Sequence, residues 1–421
     1  YPYSMRFTAR LGSLALLPAA AAFVYSNLDN CSLFKSDINR EERTRDAIYR
    51  YMVERGIPGL SVAVSVDGRL RYSEGFGYAD VETGAPCTAN TAMRIGSVSK
   101  PITSTVAALL VDKGKLDLAQ PIQKYLPDFP EKTFNGNMTE ITTRMLLSHT
   151  GGIRDYYKKG QPRPKTLQEA RETSEIFLNK PFNSVTDALK LFSDDELVAE
   201  PGKKYSYTTH GFTLISAVCE KASGEKFENL LIDLFRRLGM RNTILDRNSV
   251  IVPNRAKYYH RNDKGVLENS PEVDSSYKWA GGGILSTAPD LLIFANSILY
   301  SHQSSLAPSN LSTPLLSRQT ISDFWKGEIS TTQPYEQAAL GWKRVNVPDG
   351  GPVGGAIDAK SCGGYWYHGG AAIGVSSVLL IQPSSGEGDT SPRGICVAIL
   401  ANIQYSPVKN LAEELSEIFR D

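Results

Sequence analysis

The chain has 421 residues, 41% of them hydrophobic, and its 46 basic and 45 acidic residues leave a net charge of +1. This length and apolar content are enough to bury a large core, so a disordered chain is excluded. The balanced charge gives no reason to expect nucleic acid as a partner, and it favours a small molecule or a peptide.

Cysteine and histidine spacing gives no support for a metal site. The five cysteines include no Cys-x-x-Cys pair, and the five histidines form no cluster at the spacing of metal ligands. We interpret the cysteines as reduced or incidental. Neither a metal nor a cofactor is expected.

A leader over residues 1–36 is predicted to precede a catalytic domain over residues 37–421. Two arginines stand before an apolar run at residues 11–24, and no acidic residue occurs before Asp29. Pro18 interrupts the run, which is shorter than the ~20 apolar residues that a membrane-spanning helix needs. A mitochondrial leader, a secretory signal and a short membrane anchor all fit this composition.

The apolar pattern predicts a helix followed by a β-hairpin at the start of the domain. Apolar residues recur on one helix face over residues 37–55. Residues 60–66 alternate and are rich in β-branched side chains, and residues 70–78 continue as the return strand. The Asp67-Gly68 pair between them is a typical hairpin turn.

Helical patterns dominate the middle of the chain, and strands return near its end. A helix is predicted to begin after Ser97 and to end near Asp112, and shorter helical patterns alternate with Pro/Gly loops over residues 115–274. The later predicted elements are a helix over 289–299, strands over 375–381 and 395–400 joined by a polar loop at 382–393, and a final helix over 407–419.

Strands at both chain ends predict an α/β fold of the α+β type. One antiparallel sheet is built from the two ends of the chain and is flanked by helices. We expect a sheet subdomain formed by residues 37–110 and 275–421, with a mainly helical subdomain over residues 111–274 inserted into it.

Ser97 and Lys100 form a Ser-x-x-Lys motif at a predicted helix start. Side chains three residues apart share a helix face, so the lysine amine can reach the serine hydroxyl. The free N–H groups of the first turn stabilise negative charge beside the serine. These features describe an activated nucleophile, although the motif alone is common on exposed helix starts and needs partners.

Two further stretches carry reactive side chains, Pro-Gly-Lys-Lys-Tyr-Ser-Tyr-Thr-Thr at residues 201–209 and Tyr-Trp-Tyr-His-Gly-Gly at residues 365–370. With the serine motif, their order and spacing resemble the serine β-lactamase and penicillin-binding-protein superfamily, in its class C and esterase-like branch. That branch carries Ser-x-x-Lys, Tyr-x-Asn and Lys/His-x-Gly. Further stretches, such as Leu-Ser-His-Thr at residues 147–150 and Ser-Tyr-Lys-Trp-Ala-Gly-Gly-Gly at residues 276–283, resemble the animal mitochondrial serine β-lactamase-like proteins, and this similarity extends from about residue 37 to 420.

The resemblance implies a β-lactamase/transpeptidase-like fold and a serine hydrolase that works through an acyl-enzyme. It implies that Ser97 is the acylated nucleophile, that Lys100 accepts its proton, and that Tyr207 passes a proton to the leaving group. Either Lys100 or Tyr207 can serve as the general base in this pattern. His368 of the third motif completes the implied catalytic set.

The resemblance also implies how substrate is held. Thr209, Gly370 and Ala371 occupy its substrate-binding positions. The backbone N–H groups of Ser97 and Ala371 match its oxyanion hole, in which each donor typically contributes ~3 kcal/mol to the transition state.

Three positions depart from the β-lactamase pattern. Thr209 replaces the asparagine that holds the lysine and an acylamide substrate. His368 replaces the lysine that binds a β-lactam carboxylate, and Gly369 replaces a hydroxyl residue beside it. These changes argue against a true β-lactamase and agree with the mitochondrial branch, which carries Tyr-x-Thr and His-x-Gly.

His149 and the glycine-rich stretch at residues 279–283 are interpreted as structural. We expect the histidine to bond nearby backbone and the glycines to allow close passage of the chain under the site. Neither is assigned a catalytic role.

The resemblance implies a protease, amidase or esterase of the mitochondrial intermembrane space, linked to lipid metabolism and acting on a peptide, amide or ester. A homo-oligomer, with a filament as one form, is implied too, and the apolar leader offers a means of membrane association. Two hypotheses compete with this one: a filament-forming structural protein with little catalysis, and a secreted β-lactamase-like esterase.

Overall fold

The computed structural model describes residues 39–162, 164, 166–304, 314–346, 364–384 and 393–420. The chain divides into two compact units, residues 1–46 and 47–421. The predicted leader and most of the predicted polar loop lie outside the described residues. The predicted subdomain boundaries remain a prediction.

Eleven helices occur in the described residues. They are α1 (39–55), α2 (Ser99–Asp112), α3 (Thr143–Leu147), α4 (Leu167–Thr173), α5 (Val185–Leu189), α6 (His210–Ser223), α7 (Phe227–Leu238), α8 (Trp279–Gly282), α9 (Ala288–Gln303), α10 (Arg318–Phe324) and α11 (Lys409–Ile418). In this part of the chain no helix is both long enough and apolar enough to cross a bilayer.

Nine strands of the described residues form one antiparallel sheet. They are β1 (Gly59–Val66), β2 (Arg69–Asp80), β3 (Ala85–Pro86), β11 (Ile329–Ser330), β12 (Glu336–Ala338), β13 (Lys343–Val345), β14 (Tyr365–Ala372), β15 (Val375–Pro383) and β16 (Gly394–Ala401). Their order in the sheet is β11-β12-β13-β14-β15-β16-β1-β2-β3. Strand β1 from the start of the chain pairs with β16 from its end. The prediction of one sheet built from both chain ends is therefore confirmed.

Seven shorter strands form three small sheets among the described residues. They are β4 (Met93–Arg94), β5 (Lys132–Phe134), β6 (Asn137–Thr139), β7 (Ile244–Leu245), β8 (Tyr259–Arg261), β9 (Leu267–Asn269) and β10 (Ile284–Ser286). Five of the seven, β5 to β9, fall within the region predicted as mainly helical. Runs of two or three residues are too short for their periodicity to be recognised in sequence.

The central strands are buried on both faces, which explains their continuous apolar sequence. In β16, Ala398 and Leu400 belong to the core that also contains buried residues of α2 and α9. Val397 and Ile399 belong to a second core that includes the buried face of α11. Because successive strand residues point to opposite faces, one strand serves both cores. Each fully buried aliphatic side chain contributes ~1.5 to 3 kcal/mol.

The predicted hairpin and the helix after the serine motif are confirmed. Asp67 and Gly68 have φ values of 50° and 72°, as a two-residue type I′ turn requires. Helix α2 ends at Asp112, and Gly114 follows with φ 66°. Strand β14 was not predicted from the pattern, because paired glycines interrupt its apolar run.

Candidate active site

Ser97 lies on a tight 3-10 turn, Gly96–Val98, which connects β4 to α2. Ile95 donates its backbone N–H to the Ile284 carbonyl at 3.0 Å, which attaches the start of the turn to β10. Gly96 has φ +50°, and a Cβ there would lie 2.9 Å from the backbone nitrogen of Ala371. The turn therefore needs glycine, and it brings the half-buried serine against the edge of β14.

Lys100 reaches Ser97 from the first turn of α2. Its side chain is 0% exposed, and its Nζ donates to Ser97 Oγ at 3.1 Å. The same nitrogen donates to the Gly281 carbonyl at 2.7 Å and to Thr209 Oγ1 at 3.4 Å. A neutral amine fits these partners as well, because its two N–H groups can serve Gly281 and Thr209 while its lone pair accepts the Ser97 hydroxyl proton.

Burial lowers the pKa of Lys100 from 10.5 to about 7. Loss of solvation is the largest cause, since water stabilises the charged form. The Asp155 carboxylate acts in the opposite direction and raises the pKa, whereas the Lys278 amine lowers it. The neutral, basic form of Lys100 is therefore well populated near neutral pH.

Tyr207 lies beside both Lys100 and Ser97. Its ring is 4.8 Å from Lys100 Nζ and stacks on His149 with centroids 4.4 Å apart. Loss of solvation raises the pKa of Tyr207 well above 10, although a hydrogen bond with the Ser97 side chain lowers it. The phenol therefore stays protonated and can pass a proton without becoming a phenolate.

His149 stacks against the Tyr207 ring. Its Nδ1 accepts the Thr208 backbone N–H at 3.2 Å, so this histidine bonds backbone as expected. Burial holds the pKa of His149 well below 6.5, and the nearby Lys100 charge lowers it further. A neutral ring packed on Tyr207 positions the phenol without adding charge.

His368 lies on β14 and is 2% exposed. Its Nδ1 lies 2.8 Å from the Gly369 carbonyl, a contact that requires the N–H to be on Nδ1. Burial, followed by the Lys100 and Lys343 charges, holds the pKa of His368 well below 6.5. The ring is therefore neutral at pH 7, with Nε2 as a hydrogen-bond acceptor.

The three expected substrate-binding residues surround the same serine. Thr209 lies at the start of α6 and contacts Lys100 through its hydroxyl. At Gly370, a Cβ would lie 2.1 Å from Ser377 Oγ and 2.2 Å from the Ile95 carbonyl, so glycine is required there. Ala371 is exposed beside the serine turn. The structure thus brings all seven predicted site residues together, and their roles remain predictions.

Three further positions belong to the site. Sequence reasoning places Gly281 under the site with a structural role only, and it does not assign Asp155 or Lys278 to the site. The Gly281 carbonyl binds Lys100, and Asp155 Oδ1 accepts the Thr209 backbone N–H at 2.8 Å. Lys278 is buried immediately before α8. The sequence feature that could have indicated a role for Lys278 is its place between two aromatic residues, shortly before three consecutive glycines.

Within the described residues, no group of three or more His, Cys, Asp or Glu side chains can hold a metal.

The chain belongs to the Beta-lactamase family, whose sequence model matches residues 44–417. This membership confirms the resemblance and supports a hydrolase activity in general terms. Among its relatives is the mitochondrial serine β-lactamase-like protein LACTB of Mus musculus. The two sequences are 35% identical over an alignment of 448 positions, which covers 89% of this chain and 79% of the relative.

Solved structures share the fold of this chain. A penicillin-binding protein homologue from Pyrococcus abyssi, described as octameric, has a TM-score of 0.71 at 22% identity over 90% of this chain and 77% of that one. A class C β-lactamase has a TM-score of 0.66 at 18% identity over 90% of this chain and 96% of that one. At these identities the likeness concerns the fold alone.

Proposed function

We propose that this protein is a serine hydrolase that forms an acyl-enzyme on Ser97 during cleavage of peptide, amide or ester bonds. The observation that carries the proposal is the fully buried Lys100 amine, which lies 3.1 Å from Ser97 Oγ and has a pKa of about 7. A general base works best when its pKa is near the working pH.

Acylation begins when Lys100 takes the Ser97 proton and Oγ attacks the substrate carbonyl. The negative charge on the carbonyl oxygen is stabilised by the N–H groups of Ser97 and Ala371. The substrate C–N or C–O bond then breaks, and the proton passes through Tyr207 to the leaving group. Water later cleaves the acyl ester, and its proton returns to Ser97 through the same groups.

The assignment of Lys100 as the base follows from comparison of two pKa shifts. The pKa of Lys100 is lowered to about 7, whereas that of Tyr207 is raised well above 10. At pH 7 to 8, a large share of Lys100 is neutral and almost none of Tyr207 is ionised. Lys100 therefore removes the serine proton, and Tyr207 acts as the proton shuttle.

We expect the acylation rate to rise with pH through a midpoint near pH 7. Because the pKa of Lys100 is lowered from 10.5, the base is lost as pH falls below about 7. The rate should then fall about tenfold per pH unit. Tyr207 keeps its proton to well above pH 10, so no falling limb is expected below about pH 9. Stopped-flow measurement of the acylation burst with a chromogenic neutral ester tests this. A midpoint near pH 10 would contradict a base with a lowered pKa.

The substrate is proposed to lack a carboxylate beside the scissile bond. His368 is neutral and presents an acceptor, so it cannot form an ion pair with a carboxylate. Thr209 has a hydroxyl in place of the amide that the β-lactamase pattern provides. These two features favour uncharged peptide amides and esters over penicillins. From the resemblance to the mitochondrial branch, we further propose that the enzyme is a peptidase linked to lipid metabolism.

Replacement of His368 with lysine should improve β-lactam binding. One charge-assisted hydrogen bond is worth ~1.5 to 3 kcal/mol, or about ten- to a hundredfold in affinity. We expect kcat/KM for a cephalosporin to rise relative to that for a neutral ester, with both measured on wild type and His368→Lys. The proposed role of His368 is wrong if wild type already hydrolyses β-lactams faster than the ester.

The location and assembly are proposed from likeness. The Mus musculus relative is named as mitochondrial, which supports the mitochondrion as the location. The Pyrococcus abyssi neighbour is described as octameric, which supports a homo-oligomer. The intermembrane space and a filament are proposed from the resemblance to the mitochondrial branch alone. Imaging of the full-length protein tests the location, and secretion into the medium would overturn it. Multi-angle light scattering tests the assembly, and a monomer at all concentrations would contradict it.

A further inference from the structure

A second buried lysine lies close to the catalytic one. Lys278 is 3% exposed and ends the 3-10 turn Ser276–Lys278, directly before α8. Its Nζ lies 5.6 Å from the Tyr156 ring and 5.2 Å from the Tyr277 ring, and it donates one long hydrogen bond of 3.5 Å to the Ile176 carbonyl. Ring faces attract a cation, but they neutralise its charge far less than a carboxylate does.

The backbone links Lys278 to the catalytic amine. Helix α8 follows Lys278, and the Gly281 carbonyl of this helix accepts the 2.7 Å hydrogen bond from Lys100 Nζ. In the same helix, the Ala280 carbonyl accepts from Thr103 Oγ1 at 2.7 Å. Both lysines are therefore attached to one short helix, Lys278 through the backbone at its start and Lys100 through a hydrogen bond near its end.

Asp155 supplies the opposite charge. Its Oδ1 accepts the Thr209 backbone N–H at 2.8 Å, and the Thr209 hydroxyl is a partner of Lys100. The Asp155 carboxylate raises the pKa of both lysines, whereas Lys278 lowers that of Lys100. Burial also brings the pKa of Lys278 to about 7. One carboxylate thus acts on two amines whose pKa values are both lowered by burial.

The other charged or titratable groups around these amines are Tyr207, His149 and His368 beside Lys100, and Arg94, Asp246, Asp274, Tyr156 and Tyr277 beside Lys278. The neutral histidines and the protonated Tyr207 add no charge near Lys100. Arg94 opposes a proton on Lys278, and the two aspartates favour one. Among the groups that act most strongly on Lys100, Asp155 and Lys278 are the charged ones.

We propose that Lys278 and Asp155 are positioning residues that set how readily the Lys100 amine holds a proton, Lys278 by repelling the proton and Asp155 by attracting it. This inference rests on the proposed function, in which Lys100 is the base. Removal of the Lys278 charge should make Lys100 hold its proton to higher pH, and removal of the Asp155 charge should release it at lower pH.

The test is a direct titration of Lys100 by NMR. Protein labelled with ¹³C at lysine Cε gives a resonance for Lys100 that is identified by its loss in Lys100→Arg. We expect its midpoint to rise by about one pH unit in Lys278→Met and to fall by a similar amount in Asp155→Asn. Lys278→Arg keeps a permanent positive charge, so its midpoint should stay at or below that of wild type. Lys132→Met, which removes another buried lysine, should leave the midpoint unchanged.

A structural role for Lys278 would move both of its variants in the same direction, whereas the proposed charge effect separates methionine from arginine. Equal midpoints in wild type, Lys278→Met and Asp155→Asn overturn the inference. The titration needs no turnover, so it decides the inference even if the serine proves inert. The acylation burst, measured against pH in the same variants, should move in parallel. Absence of a burst in wild type overturns the proposed function instead.

Discussion

Replacement of Lys100 with methionine is expected to slow acylation of Ser97 about 10³-fold while leaving the protein folded. General-base catalysis contributes ~10² to 10⁴-fold, and in this site the buried amine is the assigned base. Methionine is also unbranched and apolar, so it fits the buried path of the lysine side chain. Rapid-mixing measurement of the first turnover with a chromogenic ester gives the rate.

Stability provides an internal check on the same variant. The pKa of Lys100 is lowered on folding, so between about pH 7 and 10.5 the unfolded chain binds a proton that the folded chain releases. The free energy of unfolding should therefore rise with pH across this window. In Lys100→Met the slope of this rise should be smaller by the equivalent of one bound proton.

Lys113→Met, at the exposed end of the same helix, is the matched control for the kinetic measurement and should acylate normally. Acylation of Lys100→Met within tenfold of the wild-type rate would remove Lys100 from the role of base.

The largest loss of stability is expected from Asp246→Asn. Arg94 Nε lies 2.8 Å from Asp246 Oδ2, with side chains 6% and 2% exposed. Arg255 Nη2 and Ser275 Oγ also bind this carboxylate, each at 3.0 Å. Loss of the negative charge leaves the buried Arg94 guanidinium without compensation, which costs ~3 to 5 kcal/mol. Urea unfolding of the variant measures this cost.

Loss of this ion pair should also disturb the position of Ser97, because Arg94 is the last residue of β4, just before the turn that carries the serine. Asp187→Asn, which removes an exposed ion pair with Lys190, is the matched control and should cost less than ~1 kcal/mol. An apolar double replacement, Arg94→Met with Asp246→Leu, should recover part of the lost stability. A cost for Asp246→Asn no greater than that of the control would show that the pair does not anchor the serine turn.

Local patterns explain how much of the fold could be predicted. The hairpin around Asp67-Gly68 has a turn pair with a favoured geometry, and helix α2 shows the helical period. The long strands β15 and β16 are mostly apolar runs rich in β-branched residues. Strand β14 could not be predicted from this pattern, because Gly369 and Gly370 interrupt its apolar run and glycine is disfavoured inside strands. Departures from local propensity of this kind are expected at functional sites.

The same distinction applies to the site. Ser97 and Lys100 are three residues apart, so their contact follows from helix geometry alone. The Lys100 contact with Gly281 joins residues 181 positions apart, and the Asp155 contact with Thr209 joins residues 54 positions apart. No local pattern encodes such distances. Burial of Lys278 likewise depends on packing that only the complete fold provides.

The most direct test of the proposed acyl-enzyme is covalent labelling of the purified protein with a fluorophosphonate. In this reaction Ser97 Oγ bonds to phosphorus, fluoride leaves, and the serine proton passes to Lys100. Intact mass should show one adduct per chain, and peptide mapping should locate it on Ser97. The adduct should be absent from Ser97→Ala. A folded wild type that remains unlabelled, or an adduct on another residue, would contradict the proposed function, and filaments formed by such an unlabelled protein would favour a structural role.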